Sequence, residues 1–366
     1  MPQFKTLKGL GLLVGMIIGA GMFALPYAIA RAGFWWGTFH FVLAALLVTC
    51  VHLLYGKVLF QEHTRHRLPG YVREYVGEGA YWFALCSRFF AYFGYLLAYG
   101  VLGGLFLNHF LSHVSASFLS VLFFIVAAPF ILLKPAGVGS LNLFFNAFLV
   151  FFIVVLFVAL VPQIDISSPA PIGNSYDWFF PYGIFLFAFS GASVIPELVD
   201  LFGRGRERRF RQTVYASTAI VACVYILFIV AVLGIAHGNV SEDGLSSIKE
   251  FGGQGLFLIG SLIGFLAVAD SYIDIGLELR YTLEYDLNFK KYAAWVIVVV
   301  LPPMLFLMGI NNFVKIIAVT GAVGVGIEGV CIALLARKTI HTCWVFVFLL
   351  SAAFTIGAII SVAQVL

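Results

Sequence analysis

Gly19-Ala20-Gly21-Met22-Phe23-Ala24-Leu25-Pro26 interrupts the first apolar run of this 366-residue chain, and Ser190-Gly191-Ala192-Ser193-Val194-Ile195-Pro196 interrupts a later one. Glycine weakens a helix through backbone entropy and proline removes an N–H, so a plain lipid-facing helix has no use for either cluster. Gly11, Gly15 and Gly19 are spaced so that they also suit close helix packing. Packing alone does not explain why a proline follows each cluster at the matching place. Two interrupted spans at corresponding positions of two halves are the mark of an inverted-repeat transporter.

Unwound backbone at membrane depth exposes N–H and C=O groups that hydrocarbon cannot satisfy, so they must face a ligand, water or protein. The half-helix that starts near Met22 offers free N–H groups and a positive dipole end, which suit a carboxylate. Carbonyls freed around Ser190, Gly191 and Ala192 suit an ammonium group or a cation. Backbone at Gly19, Ala20, Gly21 and Met22 together with Ser190 to Ala192 therefore describes a receptor for a zwitterion such as an amino acid.

The rest of the chain agrees with a membrane setting. Apolar residues make up 62%, aromatic residues 17%, and charged residues only 10% against the ~25% of soluble domains. Runs such as Leu141 to Val161 are continuously apolar, which excludes the alternating pattern of an outer-membrane barrel. The expected fold is an all-α polytopic membrane protein of about eleven spans. They are read near 9–30, 34–60, 80–111, 117–133, 141–162, 178–202, 213–236, 255–280, 292–310, 313–335 and 342–364. With the N-terminus cytoplasmic, all of the 21 Lys and Arg residues fall on the inner side except Arg31, Lys249 and Lys315 outside and Arg88 within a span. The positive-inside bias supports that orientation. Lys57, Arg65, Arg67, Arg73 and Lys134 belong to the inner set, and Asp165, Asp177, Glu242, Asp243 and Glu250 sit in outer loops.

Several weaker readings are set aside. Lys5 and Lys8 before an apolar run ending in Ala28-Ile29-Ala30 imitate a signal peptide, but that run carries the glycine-proline break. The basic stretch Gly203 to Arg211 is read as a topology anchor in preference to a lipid-binding patch. Cys50, Cys86, Cys223, Cys331 and Cys343 show no CxxC spacing, so no metal site and no disulfide is expected. No basic-aromatic motif points to nucleic acid.

Gly19 to Pro26 resembles the IGAGM-x-A-x-P signature that opens the hydroxy and aromatic amino-acid permeases and their amino-acid/auxin permease relatives. Phe189 to Pro196 is similar to that family's sixth helix. Ala269 to Asp286 (ADSYIDIGLELRYTLEYD) is similar to its eighth helix, which typically reads TSF-LGV-x-LGL before an acidic tail. The resemblance runs through the first ten spans in order and is specific at these three places. It implies the five-plus-five inverted repeat of the LeuT fold, alternating access, and ion-coupled uptake of amino acids. One transmembrane domain, 1–366, would then hold a first repeat at 1–162, a second at 178–335, and an additional helix at 342–364. In sodium-coupled relatives an eighth-helix hydroxyl pair helps bind sodium with first-helix carbonyls. Here Asp270 and Ser271 stand at that place, and Ile273-Asp274-Ile275 replaces LGV. Proton and sodium both stay open as the coupling ion. Proton is preferred because the resembling bacterial permeases are proton symporters.

Asp270, Asp274 and Glu278 are spaced i, i+4, i+8 along one helix face. Acids at such depth usually face a cavity and mark ion or proton pathways. Asp270, Ser271 and Asp274 are the expected coupling residues, with Glu328 as relay or brace. Glu278 is expected to pair with Arg88, and Glu197 and Asp200 to be structural or part of an inner gate. Tyr95, Tyr99 and Phe187 are expected to line the side-chain pocket. The expected function is a cation-coupled symporter, not an enzyme, for a neutral amino acid, with aromatic and hydroxylated ones among the candidates; its partners are that substrate and the bilayer of a cell membrane, and it needs no cofactor beyond the coupling ion. Rival readings are a same-fold carrier of another amine or organic cation, a channel, and an intramembrane enzyme built on His52, His63 and His66.

Overall fold

The computed structural model describes residues 2–62, 66–133, 138–164, 173, 175–236, 239–249 and 252–365, and among them every regular element is helical. His63, Arg65, Lys134, Asp165 and Glu250 lie outside the described residues. Helix α1 (Pro2–Ile17) stops before Gly19, which adopts extended backbone angles, and a 3-10 turn covers Ala20–Ala24 before α2 (Leu25–Ala32). The two arms, Phe4–Ile17 and Ala20–Ala32, are bent by 51°. Pro26 falls in the first turn of α2, where a helix has no N–H bond to lose. There follow α3 (Phe34–Gln61), the short α4 (Leu68–Tyr75), α5 (Glu78–Phe110), α6 (Ala116–Leu133) and α7 (Val138–Leu160).

The later break is built the same way. Helix α8 (Pro181–Phe189) stops at Ser190 and Gly191, a 3-10 turn covers Ala192–Val194, and α9 (Ile195–Phe202) carries Pro196 in its first turn. The residue before each second arm has almost the same backbone angles, φ −86° and ψ −9° at Ala24, φ −89° and ψ −8° at Val194. Small residues followed by proline thus produce one local geometry twice. The chain continues through α10 (Glu207–Ala236), α11 (Gly253–Tyr281), α12 (Lys291–Leu307), α13 (Phe313–Val319), a π-helical turn at Thr320–Val325, α14 (Gly326–Thr339) and α15 (Trp344–Val365).

Among the described residues eight helices are long and apolar enough to cross a membrane, or nine with the bent first pair. Length and composition therefore support fewer crossings than the eleven spans expected. The two that fall short are Ala116–Leu132 and Lys291–Leu307. The latter has 17 residues, about 26 Å of helix against a hydrocarbon core of about 30 Å.

The two ends of the bundle differ. A cavity of about 590 Å³ is lined at one end by Lys8, His66 and Arg67. The opposite end is covered by the loop between α10 and α11, where Gly244 (φ +63°) comes so close to the Phe23 carbonyl that a Cβ would lie 2.6 Å from it. Asp243 of this loop is buried, accepts from the Ser246 N–H at 3.2 Å and the Ser246 hydroxyl at 2.8 Å, and lies 3.2 Å from His109 Nε2. His109 Nδ1 in turn lies 2.7 Å from Ser261 Oγ on α11. Burial pushes the Asp243 carboxyl up, but His109, Ser241 and Ser246 together outweigh it and hold it below the usual carboxylate range. On the same side Arg31 pairs with Asp177 at 3.0 Å and stacks over Phe180.

Candidate functional site

The two breaks touch. A Cβ on Gly21 would lie 2.8 Å from Phe187 Cδ1 and 2.9 Å from Ala188 Cα, and one on Gly191 would lie 2.8 Å from Ile17 Cγ1. Each break therefore sets a glycine against the last turn of the other's first arm, and a side chain at either position would drive the arms apart. Ala20 and Met22 are buried beside Gly21, and Ala192 is buried beside Gly191. Ser190 is spent locally, with both its N–H and its hydroxyl donated to the Phe187 carbonyl at 3.2 and 2.9 Å.

Part of the demand created by the breaks is met by protein. The Tyr225 hydroxyl, buried on α10, lies 2.9 Å from the Ile17 carbonyl and 2.7 Å from the Ala188 carbonyl. In continuous helices those carbonyls would accept from Gly21 and Ala192. Sequence reasoning missed Tyr225. The signal was a hydroxyl within the apolar run Val221 to Val230, easily lost among 16 tyrosines.

The aromatic residues expected at the pocket do come together. Phe187 meets Tyr95 edge-on at 4.8 Å and Tyr99 at 6.4 Å, and the two tyrosines stack at 6.4 Å. Tyr95 also donates to Ser190 Oγ at 3.4 Å. This wall of three rings lies directly against the sixth-span break, where an apolar or aromatic side chain would find partners.

The acidic stripe of α11 divides. Asp274 and Glu278 line the cavity with Arg88, Glu197 and Glu328, whereas Asp270 does not reach its wall and is buried at 8% exposure. The Asp270 carboxyl has no hydrogen-bond partner among the described residues, and Asp274 is its ionisable neighbour along the helix. Its neighbour Ser271 faces the first break, with Oγ 3.7 Å from where a Gly19 Cβ would be. Glu278 forms an ion pair with Arg88, whose guanidinium also lies over the Tyr92 ring at 5.0 Å. At its inner end the cavity reaches Ala192, Ser193 and Val194, so it runs from the loop end to the sixth-span break.

His63 lies outside the described residues, and the described histidines do not assemble a catalytic centre. His52 is buried in α3 against Gly191, and His66 sits on the loop 3.7 Å from Glu74. Among the described residues no group of three His, Cys, Asp or Glu side chains is arranged to hold a metal ion.

Comparison with known proteins identifies the fold and the family. The low affinity tryptophan permease of Escherichia coli K12 is 23% identical over 365 residues, covering 88% of this chain and 82% of that one. The tyrosine-specific transport system 1 of Haemophilus influenzae is 27% identical over 326 residues, covering 82% and 80%. The crystal structure of MhsT in complex with L-phenylalanine superposes with a TM-score of 0.67 at 13% identity, covering 98% of this chain and 97% of that one. The fold is therefore the LeuT-type transporter fold that the sequence resemblance implied. The model of the tryptophan/tyrosine permease family matches residues 3–365, and the chain belongs to that family of integral membrane transporters, not enzymes.

Proposed function

We propose that the chain is a cation-coupled symporter that carries an aromatic amino acid, tryptophan or tyrosine, into the cell. The observation that carries this reading is the contact between the two breaks beside the ring wall of Tyr95, Tyr99 and Phe187. Backbone N–H groups at Gly19 to Gly21 receive the carboxylate, the Met22 N–H expected beside them being donated instead to the Gly19 carbonyl at 3.2 Å; carbonyls near Ser190 to Ala192 receive the amine, and the three rings receive the side chain. The names of the relatives in Escherichia coli and Haemophilus influenzae support the same substrate class.

Asp270 and Ser271 form the coupling site beside the first break, and Asp274 and Glu328 connect it to the cavity. A proton is the preferred ion, because a buried carboxylate with no hydrogen-bond partner among the described residues can take one directly where relatives use a hydroxyl pair. The N-terminus and the cavity mouth at Lys8, His66 and Arg67 face the cytoplasm, in keeping with the charge bias. The structure then corresponds to a state open to the inside and sealed outside by the 239–249 loop, and rocking of the broken helices reverses the opening. The two repeats, 1–162 and 178–335, are the bodies that exchange roles.

The test is uptake of labelled L-tryptophan and L-tyrosine into proteoliposomes under imposed proton or sodium gradients. Accumulation under an inward proton gradient is expected. Failure of both amino acids under both gradients overturns the reading. Equal competition by their methyl esters would favour an amine carrier that needs no carboxylate.

A further inference from the structure

The hydroxyl of Tyr225 stands where the two broken spans meet and hydrogen-bonds to both of them. Ile17 closes the first arm of one break and Ala188 lies in the last turn of the other's first arm. Their carbonyls converge on one phenol, and that phenol has a single proton to share between them. The residue is fully buried, and its ring is fixed edge-on against Phe189 at 5.3 Å. Removing the oxygen would leave two carbonyl oxygens facing one another in a dry site, and they repel.

The contact matters because of what the breaks bracket. There is no room for even a methyl group between Gly21 and Phe187 or Ala188, so the arms are packed closely here. Packing sets the minimum separation, and the Tyr225 hydroxyl sets the maximum by holding both carbonyls. We propose that Tyr225 is a specificity-determining positioning residue: it fixes the distance between the carboxylate-binding and amine-binding backbone and so selects α-amino acids. This rests on the reading that a zwitterion bridges the two breaks. A β-amino acid separates its amine and carboxylate by one further carbon–carbon bond, about 1.5 Å, which a receptor of fixed span rejects.

The experiment compares L-tryptophan with β-homotryptophan, as competitors of uptake and as ligands of the purified protein, in wild type and in Tyr225→Phe. The ratio of the two inhibition constants is taken within one preparation, so the amount of folded protein cancels. Wild type is expected to prefer the α-form. In Tyr225→Phe the KM for L-tryptophan rises while the constant for the β-form changes little or improves, so the preference falls about tenfold. Tyr225→His, which keeps one ring N–H at shorter reach, is read in the same way if the phenylalanine variant does not accumulate. A merely structural hydroxyl would weaken both ligands equally, and an unchanged ratio overturns the proposal while leaving the substrate reading intact. Absence of any preference in wild type, with L-tryptophan still transported, overturns the fixed-span receptor itself.

Discussion

Arg88 on α5 and Glu278 on α11 form an ion pair in the wall of the cavity, and Glu328 of α14 lines the same wall. Arg88 thus separates two carboxylates that would otherwise share a partly dry site. Breaking a buried pair from one side costs more than replacing both partners, because the survivor keeps its desolvation penalty. The side chains are 14% and 27% exposed, so some of that penalty is relieved by cavity water.

Arg88→Met is therefore expected to destabilise by about 2–3 kcal/mol, below the range for fully buried pairs. The double variant Arg88→Met with Glu278→Met should recover much of the loss. Thermal unfolding of the purified variants in detergent measures both. Equal melting temperatures for the single and double variants would show that the pair is not coupled.

Asp270 is the residue on which accumulation should depend. Asp270→Asn keeps the shape and removes the exchangeable proton, so the substrate can still bind and the helices can still rock. Net accumulation under a proton gradient is expected to vanish while exchange of internal for external substrate continues. Counterflow and gradient-driven uptake in the same proteoliposomes separate the two. Wild-type accumulation by the variant would remove Asp270 from coupling.

Much of this was legible in the sequence because the breaks are written in residue types with strong backbone consequences. Glycine followed by proline marks an interruption wherever it stands, and the same grammar gave Ala24 and Val194 the same backbone angles. The acidic stripe was legible as a period, yet four residues of helix also advance about 6 Å along the axis. That advance is why Asp274 and Glu278 reach the cavity and Asp270 does not. Tyr225 was hidden for a different reason: its partners are backbone carbonyls, and nothing in the sequence pattern records which carbonyl a side chain will meet. The pairing of His109 with Asp243 was hidden likewise, since it joins the end of one helix to a distant loop.

Asp243 gives the covering loop a defined response to acid. Its carboxyl is held below the usual range in the folded protein, so the folded state binds that proton less readily than the unfolded chain does. The stabilisation is complete above the unfolded value of about 3.9 and is lost as pH falls through the lower folded value. Asp243→Asn is expected to destabilise the loop at pH 7, and the difference from wild type should shrink below about pH 4. Limited proteolysis of the 239–249 segment across pH measures it. A difference that persists unchanged in acid would assign the effect to lost hydrogen bonds alone.

Two glycines in one motif should behave oppositely. At Gly21 an added methyl would lie 2.8 Å from Phe187 Cδ1 and 2.9 Å from the Ala188 Cα, and backbone cannot step aside as a flexible side chain can. Gly21→Ala is expected to cost about 1–3 kcal/mol by overpacking and to wedge the two breaks apart, with substrate affinity falling at least tenfold. At Gly19 the backbone is extended, and a methyl would find only Ser271 Oγ at 3.7 Å, an ordinary contact. Gly19→Ala should therefore fold with nearly wild-type stability, and any change it makes should fall on ion dependence through Ser271. Melting temperature and the dependence of uptake on proton and sodium concentration distinguish the pair. If both variants lose affinity equally with unchanged ion dependence, the first break would be acting only as packing, and its role in holding a carboxylate would have to be given up.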